Sequence, residues 1–210
     1  AVMDGLDYFI VENVRTARRF LSRAGIARPI DTLEFRELNE HTVAGRDVEE
    51  LIAPLLAGRS AGMISEAGVP GVADPGALAA ALCHRRGFRV GPLVGPSSIL
   101  VAMMASGLNG QSFAFNGYLP VKAPERARAV RMLERRAAAE GQSQLFIEAP
   151  YRNDKLFAQL LETLAPATRL MVAVDITAPG ERILTRTVEE WRRSGRPELN
   201  KRPALFAIGM

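Results

Sequence analysis

The stretch SEAGVPGVADPG, residues 65–76, gathers three glycines, two prolines and two carboxylates, Glu66 and Asp74, into twelve positions. It follows the apolar run SAGMI (60–64), which has the composition of a short buried strand. It leads into GALAAALCHRRG (76–87), an alanine-rich helix pattern closed by Gly87 as a plausible C-cap. Strand-to-helix loops at the carboxyl ends of parallel strands are where open α/β sheets bind ligands. Glycines let backbone amides approach a ligand closely, and the helix start that follows favours an anionic group. The same residues also satisfy a plainer demand: Asp74 stands as a helix N-cap ahead of Pro75 at the first helical position, and many Gly/Pro loops are simply turns.

Outward from this loop the chain alternates short apolar runs with longer helical ones. DYFIVEN (7–13) predicts a strand and TARRFLSRAGI (16–26) a basic amphipathic helix ending at Gly25. DTLEFRELN (31–39) is ambiguous. RDVEELIAPLLAG (46–58) predicts a helix, bent or opened by Pro54. FRVGPLV (88–94) predicts a strand, and VGPSSILVAMM (94–104) repeats the layout of the first loop: strand, Gly95-Pro96, then Ser97 and Ser98 at a helix start. After the turn-rich GLNGQS (107–112) come a strand in FAFNGYLP, a long charged helix over 124–141 and a strand in SQLFIEAP. A helix over 151–165, a strand in RLMVAVDI, a short helix in TRTVEEWRRSG (185–195) and a last strand in RPALFAIGM follow. The alternation predicts an α/β protein of two α/β domains with mainly parallel sheets, 1–109 and 110–210.

The bulk numbers narrow the function classes. The chain has 210 residues, 48% of them apolar, with 27 basic and 23 acidic side chains and a net charge of +4. A mild basic balance permits a nucleic-acid partner without requiring one. A single cysteine, Cys83, excludes a disulfide framework within the chain and fits a reducing, cytoplasmic setting. With only His41 and His84 besides, no transition-metal site is expected. No run approaches the ~18 apolar residues of a membrane span. Neither G-x-G-x-x-G after a strand nor G-x-x-x-x-G-K-[ST] occurs.

Four ordered motifs, SEAGVPGVADPG, VGPSS, NGYLP followed by basic residues, and FIEAPYRN, resemble the tetrapyrrole methylase superfamily, and within it the branch of small-subunit ribosomal RNA (cytidine 2′-O) methyltransferases. The resemblance runs from about residue 8 to the C-terminus. It implies an S-adenosylmethionine cleft between the two domains and a homodimer. It assigns the cofactor to Ser65, Glu66, Ala67 and Gly68, to Asp74, Pro75 and Gly76, and to Gly95, Pro96, Ser97 and Ser98. Two departures stand out. The family's first strand and its Gly/Pro-rich loop are missing, since the chain opens at AVMDGLDYF. ENVRTARRFL (12–21) replaces the branch's E-D-T-R-x-T pattern, keeping Glu12, Arg15 and Thr16.

Transfer of a methyl group to a ribose hydroxyl gains from alignment and from a general base. Glu66 and Glu148 are the candidates. Glu148 has a competing role as an ion-pair latch with Arg152, four residues on. Arg15, Lys122, Arg128, Arg131 and Arg152 are candidate RNA contacts. Arg128, Arg131 and Arg135 share a helical face, with Arg126 and Arg136 in the same crowded segment, and a solvated helix face would explain them equally. Arg18, Arg19 and Arg23 join Arg15 in a similar cluster, and Met103 and Met104 are expected in the core. A methylase for a tetrapyrrole or other small molecule, and a module that binds cofactor or RNA without turnover, are the alternatives.

Overall fold

The computed structural model describes residues 2–39 and 46–210, without the side chains of 46 and 47, so His41 lies outside the described residues. The chain forms two compact units, Ala1–Pro96 and Ser97–Met210.

The first unit is a three-stranded parallel sheet in the order β2-β1-β3: β1 (Tyr8–Val11), β2 (Glu34–Glu37) and β3 (Ala61–Ile64). Tyr8 pairs with Glu34 on one side and Ala61 on the other. All four residues of β1 are buried, which explains its uninterrupted apolar sequence. Successive side chains of a strand leave by opposite faces. Tyr8 and Ile10 therefore enter a core with Leu51, Ile52, Ala79 and Leu82 from helices α2 (Arg46–Leu56) and α3 (Gly76–Arg85). Phe9 and Val11 enter another with Ala17 and Leu21 from α1 (Val14–Arg23). The Tyr8 hydroxyl donates to the Leu51 carbonyl at 2.7 Å, satisfying a buried polar group. Asn13 caps α1, its side chain accepting the Thr16 N–H at 3.2 Å.

The segment 88–94 is not a strand: it is irregular, with Leu93 66% and Val94 fully exposed. An apolar run becomes a strand only when a neighbour receives its hydrogen bonds, and Pro92 has no N–H to give.

The second unit is a five-stranded sheet in the order β4-β5-β8-β6-β7, made of β4 (Phe113–Tyr118), β5 (Ser143–Ile147), β6 (Arg169–Val174), β7 (Arg182–Thr187) and β8 (Ala204–Gly209). Only β4 and β5 run parallel; every other pairing is antiparallel. The expectation of mainly parallel sheets thus holds for the first unit alone. One face is covered by α5 (Ala123–Glu140), α6 (Asn153–Thr163) and α7 (Val188–Ser194), over a core that includes Phe146, Phe157, Trp191 and Phe206. The Trp191 indole donates to the Leu170 carbonyl at 2.8 Å. The other face receives α4 (Ser98–Ser106) through Ala102 and Met103, against Leu145, Met171 and Ala207. That packing puts α4 with the second sheet, so the compact units divide after Pro96, ahead of the turn cluster 107–112. Met104, expected in the core, is 85% exposed, because the neighbour of a buried helical residue points about 100° away.

Candidate functional site

The loops at the carboxyl ends of β1 and β3 lie side by side, as parallel pairing requires. The Glu12 carboxylate accepts the backbone N–H of Glu66, and the Glu66 carboxylate accepts the Thr16 hydroxyl. Glu12 and Thr16, both retained from the family pattern, thus tie the two loops together, although the spacing of 54 residues between Glu12 and Glu66 hides the contact from any local pattern.

Within the loop, Asp74 Oδ1 accepts two backbone N–H groups, from Gly71 and from Gly76, each at 2.7 Å. The helix starts one residue later than expected: Pro75, not Asp74, is the N-cap of α3, and Asp74, one position outside, serves the Gly76 N–H at the first helical position. Gly76 is required here by space. A Cβ on it would meet Met63 Sδ at 2.6 Å, Asp74 Oδ1 at 2.8 Å and Gly71 N at 3.0 Å. Gly68, by contrast, adopts φ +76° with open space around it, the left-handed conformation that glycine takes at least cost. The Val69 side chain approaches Gly95, 3.6 Å from where its Cβ would stand, so the 65–76 and 95–96 corners meet.

Beneath these corners Val11, Glu12, Met63, Ile64, Asp74 and Gly76 line a cavity of about 10 Å³, room for a single water. A nucleoside-sized ligand does not fit inside it. Around it Glu66, Ala67, Gly68, Gly95 and Pro96 are exposed, and Ser65 is half-buried. Ser97 and Ser98 open α4 in the second unit; Ser97 is buried and makes no side-chain cap bond, Ser98 is exposed.

Glu148 follows β5 in the second unit and is 4% exposed. Its Oε1 accepts Arg152 Nε at 2.9 Å, Arg152 Nη2 at 2.6 Å and its own loop's Ala149 N–H at 2.8 Å. This is the latch geometry, and the hydrogen bond to Glu148 is the main reason the Arg152 guanidinium titrates above its usual value. Arg126 is buried as well, 4.0 Å from Glu148 Oε2 and donating to the Val121 carbonyl at 3.2 Å. It backs the latch and leaves the group of surface phosphate candidates. Lys122, Arg128, Arg131 and Arg135 are exposed, and Arg136 pairs with Glu140 at 3.1 Å. On α1, Arg15, Arg19 and Arg23 are exposed while Arg18 pairs with Asp31. Among the described residues no helix is long and apolar enough to cross a membrane, and no group of three or more His, Cys, Asp and Glu residues is placed to hold a metal ion.

Residues 9–191 match the Tetrapyrrole (Corrin/Porphyrin) Methylases. Among curated proteins, the chain is 34% identical over 190 residues to "Ribosomal RNA small subunit methyltransferase I" of Neisseria meningitidis serogroup B, covering 90% of this chain and 62% of that protein. It is 32% identical over 197 residues to the protein of the same name from Xylella fastidiosa strain Temecula1, covering 94% and 68%. The chain thus spans roughly three-fifths to two-thirds of these relatives' length. Among solved structures, the methyltransferase CobJ aligns over 99% of this chain and 84% of its own, with a TM-score of 0.63 and 16% identity. Cobalt precorrin-4 methyltransferase CbiF aligns over 99% and 85%, with a TM-score of 0.61 and 14% identity. At that identity the likeness concerns the fold. With the profile covering most of its length and the paired strand-end loops in place, the chain belongs to the tetrapyrrole (corrin/porphyrin) methylases.

Proposed function

We propose that the chain is the greater part of an S-adenosylmethionine-dependent methyltransferase that modifies small-subunit ribosomal RNA at a ribose 2′-hydroxyl, working as a homodimer in the cytoplasm. The observation that carries this reading is the 34% identity over 90% of the chain to a relative named for that RNA.

The cofactor, when bound, supplies a methyl group activated on a sulfonium. The chain's own contribution is to shape and hold a rim. Asp74 fixes the loop by gathering the Gly71 and Gly76 amides. Gly68 and Gly95 present backbone that no Cβ obstructs, so a ligand can lie against it. Glu12 and Thr16 orient Glu66, the exposed carboxylate of the pair considered as base. Glu148 is committed to Arg152 and acts by holding the loop 149–152 in place. Exposed Arg15, Lys122, Arg128 and Arg131 supply cations for backbone phosphates, and binding through them weakens steeply with salt.

The test is transfer of a tritiated methyl group by the complete protein to small ribosomal subunits from cells lacking the gene. Label at one ribose of the RNA supports the reading. Absence of label, with tight cofactor binding by calorimetry, redirects it to a small-molecule acceptor. Gly95→Val is expected to weaken cofactor binding by filling the rim; unchanged affinity would remove the 95–96 corner from the site.

A further inference from the structure

Two exposed tyrosines stand at the carboxyl ends of β4 and β5, beside the Glu148–Arg152 latch. Tyr118 closes β4 beside Ile147 in the parallel ladder, and Tyr151 follows Ile147 by one short loop. Both rings stand largely in solvent, 64% and 66% exposed. The Arg152 guanidinium lies 5.1 Å from the centre of the Tyr151 ring and donates through Nη1 to the Tyr151 hydroxyl at 3.0 Å. The opposite edge of Arg152 is fixed on buried Glu148, which Arg126 backs. Arg126 also holds the Val121 carbonyl, and so the loop that carries Lys122, whose side chain is 80% exposed and stands 3.8 Å from the Glu125 carboxylate.

An exposed ring set against a cation that a buried ion pair immobilises, with a second exposed ring at the end of the adjoining strand, makes a preorganised surface. Immobilised groups lose little freedom on binding. Ring faces and guanidinium planes stack on unpaired bases of any identity, and nearby cations neutralise the sugar-phosphate chain. We propose that Tyr118, Arg152 and Tyr151 form a stacking platform for an unpaired base of a single-stranded RNA segment, with Lys122 serving the adjoining phosphate. The inference rests on the RNA substrate proposed above and adds the part of the second unit that holds it. A duplex keeps its base faces covered, and an apolar peptide has no use for the two cations.

The experiment uses the complete protein and a single-stranded oligoribonucleotide of about ten nucleotides carrying 2-aminopurine, followed by fluorescence and anisotropy over a range of salt. Tyr118→Ala and Tyr151→Ala are each expected to weaken binding roughly ten-fold or more and to relieve the quenching that stacking causes, while the dependence of affinity on salt stays the same. Tyr118→Phe keeps the ring and is expected to keep the affinity. Lys122→Ala is expected to lower the salt slope by about 0.7. Circular dichroism melts establish that the variants fold. Folded alanine variants with wild-type affinity overturn the platform, as does displacement of the RNA by a duplex or an aromatic peptide at equal concentration. Methyl transfer to ribosomal subunits is scored apart. A protein that transfers no methyl group, yet loses oligonucleotide binding with its tyrosines, keeps the platform and loses the proposed activity. One that methylates, yet binds equally well without them, does the reverse.

Discussion

Asp74 shows how much one side chain decides. A single carboxylate oxygen serves the Gly71 and Gly76 amides, and Gly76 is buried. Between them Ala73 is held at φ +60°, a conformation costing a residue with a Cβ about 1–2 kcal/mol. The clamp offsets that cost. Asp74→Ala strands both amides, and hydrogen bonds to a charged group contribute about 1.5–3 kcal/mol. Urea unfolding of the variant is expected to show a loss of about 2 kcal/mol, with Asp74→Asn losing less because an acceptor oxygen remains. Equal stability of Asp74→Ala and the parent would show that the loop needs no clamp. This residue was legible in the sequence because capping is local: its partners lie within three positions. The contacts of Glu66 with Glu12 and Thr16 were not, because only the pairing of β1 with β3 brings them together. Glu148 lay between: its pairing with Arg152 is local, while its burial beneath Arg126 depends on how α5 packs.

At the scale of elements, helix α7 carries its own start signal. The Thr187 side chain accepts the Glu190 N–H at 3.2 Å, and the Glu190 carboxylate accepts the Thr187 N–H at 2.7 Å. The second bond is the main cause that holds Glu190 below its usual carboxylate value. The folded pKa is the lower one, so this contribution is present above pH 4.5, the ordinary value, and is lost as pH falls through the folded value. Thr187→Ala is expected to cost about 1 kcal/mol near neutrality, while the Glu190 titration, followed by NMR, rises only in part, because the backbone N–H of residue 187 still donates to it. Unchanged stability of the variant would disprove the cap, since it is the Glu190 N–H that loses its acceptor. The same junction explains a strand that the pattern concealed. Residues 182–187, RILTRT, show no apolar–polar alternation and run without a break into the cap of α7, so the helical signal swallowed β7. Strands β1 and β3 were legible as short apolar runs, α1 from its amphipathic pattern and α3 from its alanine-rich run closed by Gly87. Whether neighbours run parallel or antiparallel was not, since buried strands of either kind are equally apolar. Nor was the unpaired state of 88–94, which depends on a partner strand and not on its own residues.

The chain forms two compact units, each with its own sheet, and Trp191, the chain's single tryptophan, reports on the second alone. Far-ultraviolet circular dichroism reports on both. Urea transitions followed by the two probes are expected not to coincide, and coincident curves would mean that the cores unfold as one. High pH offers an independent separation. Burial is the main cause raising the Tyr8 phenol above its ordinary value of 10.0. The unfolded phenol ionises first, so the first unit is stable below pH 10 and loses stability as pH rises through the folded value. Loss of circular dichroism is expected ahead of the Trp191 signal under those conditions. The order of strands carries one further consequence. β8 lies at the centre of its sheet, bonded to β5 and β6, yet follows both in the chain. During synthesis β5 and β6 leave the ribosome's exit tunnel each with one flank bare, and neither can close until Ala204–Gly209 emerges. For that interval the nascent chain shows open strand edges and greasy side chains together, and so presents itself as a client for chaperones.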